Sequence, residues 1–262
     1  DYCFWEAGSK DEEDRPQLTL GHKGYLYLDL SLRTLSQPMP SRVTVLPNAA
    51  NRLVWALASL KGPDERVLIA AFYDGVADVS AEEEEIIFSN LSANTEDLLR
   101  RSGARVFVRD LQGRDVTRWL YTEPSLAICG LEAGFTGEGQ KLVTPDVARA
   151  KVEIRLVPNQ DPDRVLAGLR THLDCHGFQD VEVAMLGYAQ PYKVEVSEPI
   201  VAIAQAAARR VYGMNPVITP VATGMGHRYH FRKWMDMPIA GFAVGYAGSQ
   251  LETANEHIRL VA

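Results

Sequence analysis

Hydrophobic positions along this chain recur with two periods, two residues and three to four residues, in separate blocks. From Tyr25 to Arg33 the alternation is unbroken, with Leu26, Leu28, Leu30 and Leu32 on one face and Tyr25, Tyr27, Asp29, Ser31 and Arg33 on the other, which predicts a half-buried strand. After Pro47-Asn48 the pattern turns helical: Leu53, Ala56, Leu57 and Leu60 share one stripe, and Gly62-Pro63 stops it. Alternation returns around Leu126 to Cys129 and over Ala150 to Val157, where Val152, Ile154 and Leu156 oppose Lys151, Glu153 and Arg155. Asp161-Pro162 reads as an N-cap followed by proline at the first helical position, with the stripe Val165, Leu166, Leu169 and Leu173 ending before Gly177. Val181, Val183 and Met185, alternating with Glu182, Ala184 and Leu186, predict a further strand.

Strand, helix, two strands, helix, strand is the order of a ferredoxin-like α+β sandwich, an antiparallel sheet with helices on one face. Past Glu198-Pro199 the texture changes. An alanine-rich helix from Ile200 to Tyr212 ends at Gly213, and strand-like Val217 to Val221 and Ile239 to Val244 bracket a glycine-rich turn, the pattern of α/β packing around a more buried sheet. A boundary is expected near Pro191. Between Asp64 and Thr122 the acidic run Glu82 to Glu85 and the basic stretch Arg100 to Arg105 are expected to be solvated helix faces.

The chain has 262 residues, enough for one large domain or two ordinary ones, with 46% hydrophobic and 23% charged residues, a globular balance. Its net charge of −7 gives no overall pull toward nucleic acid or anionic lipid, and no run approaches the length of a membrane span. Small molecules or proteins are the expected partners. Cys3, Cys129 and Cys175 are far apart and form no zinc-finger spacing, which suggests reduced thiols in a cytoplasmic protein. The sequence opens at Asp1, directly on the apolar run Tyr2-Cys3-Phe4-Trp5, and is expected to be an N-terminally truncated or processed piece. Gly134 to Gly139 looks like a phosphate loop only in its glycines: it lacks the Lys-Ser/Thr pair and is followed by a strand-like segment.

Several segments taken together resemble the cocatalytic-zinc metallopeptidases that include carnosinase-like dipeptidases, acetylornithine deacetylase and glutamate carboxypeptidase. The matching pieces are Asp1 to Glu6, Leu46-Pro47-Asn48 running into Leu53 to Leu57, Phe72-Tyr73-Asp74, Ile128-Cys129-Gly130, Thr136 to Gly139, Ile154 to Asp161, and Asn255-Glu256, in the family's order. The resemblance implies a zinc-bearing α/β catalytic domain, here residues 1–16 and 192–262, interrupted by an α+β lid, residues 17–191, that also makes a homodimer. It implies hydrolysis of peptide or amide bonds in small carboxylate-bearing substrates, with two zinc ions activating water.

Site residues follow from the resemblance one by one. Glu6 falls at an acidic zinc ligand, and Glu252 stands where the family has a zinc-binding His. Arg155 matches an arginine that clamps a substrate carboxylate, a task suited to a planar, permanently charged fork; its alternative is a salt bridge with Glu153. Gly224 lies in the substrate loop, which reads Thr223-Gly224-Met225 in place of Gly-Gly-Ser. The lid histidine of the family is missing near Met39-Pro40-Ser41, since no histidine lies between His22 and His172, and a lid Thr or Asn is replaced by Leu142. The other metal ligands and the general base of the family precede Asp1. Two functions therefore stand side by side: a zinc dipeptidase or deacylase, inactive as this chain alone, and a non-catalytic homodimerising or binding module. His172 and His176, four residues apart, are expected to cap a helix or face solvent, and His227 and His230 flank Arg228 and Tyr229 with a ligand-binding or a local role.

Overall fold

A computed structural model describes residues 1–6, 9–11, 13–242, 245–246, 248–250 and 254–258, with 91–97 described as backbone. In chain order the elements are β1 (Cys3–Glu6), β2 (Gln17–Thr19), β3 (Gly21–His22), β4 (Gly24–Arg33), β5 (Met39–Pro40), α1 (Ala49–Leu60), α2 (Ala81–Ser102), α3 (Arg114–Thr122), β6 (Ser125–Ala133), β7 (Val143–Thr144), β8 (Val147–Leu156), α4 (Pro162–Cys175), β9 (Glu182–Ala189), β10 (Tyr192–Lys193), α5 (Pro199–Tyr212), β11 (Val217–Thr219), α6 (Arg228–Met235) and β12 (Ile239–Phe242).

The fold is α+β and α/β in two parts. One sheet has the order β6-β8-β4-β9 and is antiparallel throughout. This is the arrangement of a ferredoxin-like sandwich, with α1 and α4 packed on one face. The strict alternation of β4 decides that face: Leu26, Leu28 and Leu30 are fully buried with Val152, Ile154, Leu53, Leu60 and Leu169 in one core. Both helices begin where a short side chain can accept an orphan backbone N–H: Asn48 accepts from Asn51 at 3.1 Å, and Asp161 accepts from Asp163 at 2.9 Å. Bulges displace the expected alternation at both edges. One lies between Ile128 and Gly130 in β6, which pairs on to Ala133, beyond the expected Cys129, and one opposite Tyr27 and Leu28 leaves both Met185 and Leu186 exposed on β9.

The other sheet has the order β1-β12-β2-β11, with β1 parallel to β12 and β11 parallel to β2. Gln17–Thr19, placed by the sequence with the inserted lid, are hydrogen-bonded in this sheet between β12 and β11. The reason is packing: Leu18 and Leu20 are fully buried with Ile200, Val201, Ile239 and Ala240 in a second core. Of the expected strand Ile239 to Val244, Ile239–Phe242 forms β12, and Val244 lies outside the described residues.

The middle segment joins the two parts. α2 is capped by Ser80, whose side chain accepts from Glu83, and ends at the left-handed Gly103. Arg100 and Arg101 are exposed on α2 as expected, whereas Arg105, also exposed, lies beyond the end of the helix. Glu83 is not: it is buried and takes a 2.7 Å ion pair from Lys193, so the acidic run is solvated only in part. Asn90 reaches the Ile218 carbonyl at 3.1 Å, tying α2 to β11.

Candidate functional site at the junction of the two sheets

Between β2 and β4 the chain reads Gly21-His22-Lys23-Gly24, and the two glycines are dictated by backbone proximity. A Cβ on Gly21 would sit 2.3 Å from the Tyr192 carbonyl oxygen, and one on Gly24 would sit 2.5 Å from that of Ala189. The strands they admit, β3 and β10, pair Tyr192 with His22 and Lys193 with Gly21. His22 and Lys23 are thereby forced inward, 3% and 5% exposed.

The Lys23 backbone N–H donates to the Ala222 carbonyl at 3.0 Å, and the Lys23 Nζ donates to the Glu123 carbonyl at 2.6 Å. Burial lowers the ammonium to about 8, the carboxylate of Glu123 working against this and the charge of Arg155 adding to it. His22 Nδ1 lies 3.1 Å from the Lys23 carbonyl. That oxygen only accepts, so Nδ1 carries the proton and Nε2 presents a lone pair. Burial lowers the ring to about 4, with Arg228 and His227 adding to the effect, and it is neutral at pH 7. Nε2 is buried and has no hydrogen-bond partner among the described residues.

The glycine-rich turn after β11 borders this ring. It is Gly226, not Gly224, that is packed closely: a Cβ on Gly226 would stand 3.0 Å from His22 Cδ2, whereas one on Gly224 would meet nothing within 4 Å among the described residues. Thr223, Gly224 and Met225 are exposed. Arg228, at the start of α6, is buried and donates from Nη1 to the Thr19 carbonyl at 2.9 Å; burial lowers its guanidinium from the ordinary arginine value. Tyr192 is raised by burial, and its hydroxyl accepts from the Ile239 N–H at 2.9 Å.

Arg155 projects from β8 on the sheet face away from α1 and α4. Its Nη2 pairs with Glu153 Oε1 at 2.7 Å, the alternative weighed from the sequence, while its Nη1 is buried without a partner among the described residues. One arm of the fork is thus engaged and the other is without an acceptor among the described residues. A cleft of about 400 Å³ also opens at the junction, lined by Gln160, Asp161, Tyr192, Lys193, Tyr229 and Arg232 among others.

The structure brings Arg155 and the Gly224 turn to the same junction, with His22 and Lys23 between them. Glu6 is elsewhere: it is exposed at the end of β1, level with Phe242, whose neighbour on β2 is Leu18, and β2 leaves toward the junction in the other direction. Glu252 lies outside the described residues. Among the described residues no group of three or more His, Cys, Asp or Glu is placed to hold a metal ion, so Glu6, chemically suited to zinc, does not by itself make a site. His172 is buried, not exposed, with Nε2 3.2 Å from Ser59 Oγ, and His176 Nδ1 caps the helix at the His172 carbonyl, 2.7 Å away. His227 and His230 are exposed, their rings stacked at 6.5 Å. Lys23 and His22 escaped the sequence reading; the glycines three residues apart around them were the signal.

Comparison with known proteins locates this architecture. The model of the peptidase dimerisation domain matches residues 46–181, just over half the chain. The Beta-Ala-His dipeptidase of Rattus norvegicus is 28% identical over 212 residues, 78% of this chain and 42% of that protein. A Cys-Gly metallodipeptidase of Saccharomyces cerevisiae is 27% identical over 253 residues, 93% of this chain and 52% of that protein. The chain therefore spans about half the length of these curated relatives. Among solved structures, an M20 family metallo-carboxypeptidase from Sulfolobus solfataricus superposes with a TM-score of 0.87 at 30% identity, covering 96% of this chain and 58% of that one.

Proposed function

We propose, for a chain that belongs to the M20 peptidase dimerisation domain family, that it serves a metal-dependent dipeptidase as its dimerising lid and substrate-carboxylate holder. The observation that carries this reading is the buried Nη1 of Arg155 at the junction, which has no hydrogen-bond partner among the described residues. A buried guanidinium N–H without an acceptor is costly, and a substrate carboxylate supplies one. Homologues named as dipeptidases support a peptidase reaction on small peptides. In this proposal the cofactor is zinc, the compartment is cytoplasmic, and the protein is a homodimer. No helix among the described residues is long and apolar enough to cross a membrane. The division into 1–16 with 192–262 and 17–191 is retained, with its first boundary moved to the Gly21–Gly24 bracket.

Glu6 and Glu252 supply two carboxylates, fewer ligands than two tetrahedral zinc ions take, so no hydrolytic step is assigned to this chain's own residues. The purified 262 residues are proposed to be inactive by themselves. Dipeptide hydrolysis that a chelator abolishes and zinc restores in the isolated chain overturns that point. In the whole enzyme, Arg155→Met should raise KM for dipeptides far more than for their C-terminal amides; equal effects on both overturn the clamp.

A further inference from the structure

We propose that the Lys23 ammonium and the Nη1 arm of Arg155 form one two-cation seat for the terminal carboxylate of a peptide, making Lys23 a second binding residue. This deepens, and rests on, the carboxylate-holding reading of Arg155.

The sheet register puts the two groups together. Arg155 is flanked by Tyr25 on β4 and Ser125 on β6. Lys23 lies two residues before Tyr25, and Glu123, whose carbonyl it binds, lies two residues before Ser125. Residues two apart share a face, so the Lys23 side chain bridges from β4 toward β6 over the end of β8, about 7 Å along the sheet from Arg155. Arg155 is near enough for its charge to act on the Lys23 ammonium.

Donors outnumber acceptors there. An ammonium has three N–H groups, and Lys23 gives one to a neutral carbonyl; it makes no ion pair within 4 Å among the described residues. The Glu123 carboxylate acts on it only from farther away, and Glu153 occupies the other arm of Arg155. Two cations on one sheet face, Lys23 buried and Arg155 half-buried, oppose each other, and the arrangement is relieved when an oxyanion bridges them. A ligand carboxylate has two oxygens, one for Arg155 Nη1 and one for Lys23 Nζ. A lysine that serves only to clip β4 to the Glu123 carbonyl predicts none of this and separates from the proposal by experiment.

The test is calorimetric titration of the full chain with glycylglycine and with glycylglycinamide, which lacks the carboxylate. The wild type is expected to bind the acid and not the amide. Lys23→Met should weaken binding of the acid by roughly tenfold or more. Lys23→Arg, which keeps the charge and serves as the folding control, should bind the acid close to the wild type. Wild-type affinity in Lys23→Met with loss in Arg155→Met overturns the role of Lys23 while leaving the Arg155 reading intact. Unchanged affinity in both variants, equal binding of acid and amide, or binding of neither to the wild type overturns both.

Discussion

The Lys23 ammonium donates to the Glu123 carbonyl oxygen at 2.6 Å across 100 residues of sequence, while the same residue's N–H holds the Ala222 carbonyl at 3.0 Å. One residue thus fixes the entry to β6 and the turn after β11 with respect to each other. The consequence is that the arginine on β8 and the glycine turn after β11 are positioned by a single buried bracket, and disturbance at the bracket should be felt in both parts of the molecule.

Acid should destabilise the fold through His22. Its folded value of about 4 lies below the ordinary 6.5, so between these pH values the unfolded chain binds the additional proton. Stability is fully present above pH 6.5 and is lost as pH falls toward 4, by about 3 kcal/mol at most. Urea unfolding across this window should show a pH slope smaller by about one proton in His22→Leu than in the wild type; an unchanged slope rules the histidine out as the cause.

Gly24→Ala should destabilise by about 1–3 kcal/mol, because the new Cβ would fall 2.5 Å from the Ala189 carbonyl oxygen and 2.6 Å from the Pro191 nitrogen, both backbone. Gly130→Ala is the matched control: its Cβ would meet the Lys151 side chain at an ordinary 3.6 Å, and a change within about 0.5 kcal/mol is expected. Melting curves of the two variants decide between crowding at the bracket and a general cost of replacing glycine.

On α1 neighbouring residues lie on different faces of the helix. Leu53 is fully buried, whereas Val54 and Trp55 are 48% and 61% exposed. Leu53→Ala should cost about 2–5 kcal/mol in stability. Trp55→Glu should leave the melting temperature of the protomer nearly unchanged and split the proposed dimer. Sedimentation of the wild type as a single 29.0 kDa species at micromolar concentration refutes that dimer.

Arg52 on α1 forms a two-pronged pair with Asp180, one prong at 2.6 Å, and also donates to the Gly177 carbonyl at 2.6 Å. Asp180 is held below the usual carboxylate range chiefly by the hydrogen bond from Arg52. The stabilisation is present above the unfolded carboxylate value and lost as pH falls through the folded one. The pair is partly exposed, which limits Arg52→Ala to about 1 kcal/mol. Denaturation at pH 7 and pH 3 should show the gap between variant and wild type narrowing in acid.

The sequence by itself determined the elements whose side chains repeat with one period over many residues. The four leucines of β4, the stripe of α1, the Asp161-Pro162 cap and the Gly213 stop of α5 all appear in the structure, because burial of one face and satisfaction of helix ends are local demands that leave a local pattern. What only the tertiary structure decided are relations between distant residues. Gln17–Thr19 entered the sheet of β1, β12 and β11 because Leu18 and Leu20 complete its core, which a strand of three residues cannot announce. Glu83 became buried because Lys193, 110 residues away, neutralises it there. Arg155 was visible in its motif, but its split between Glu153 and an unengaged arm, and the approach of Lys23 to it, follow from strand register. Long-range pairing places charges that periodicity leaves unassigned, since an alternating pattern specifies which face a side chain takes and not which partner stands beside it.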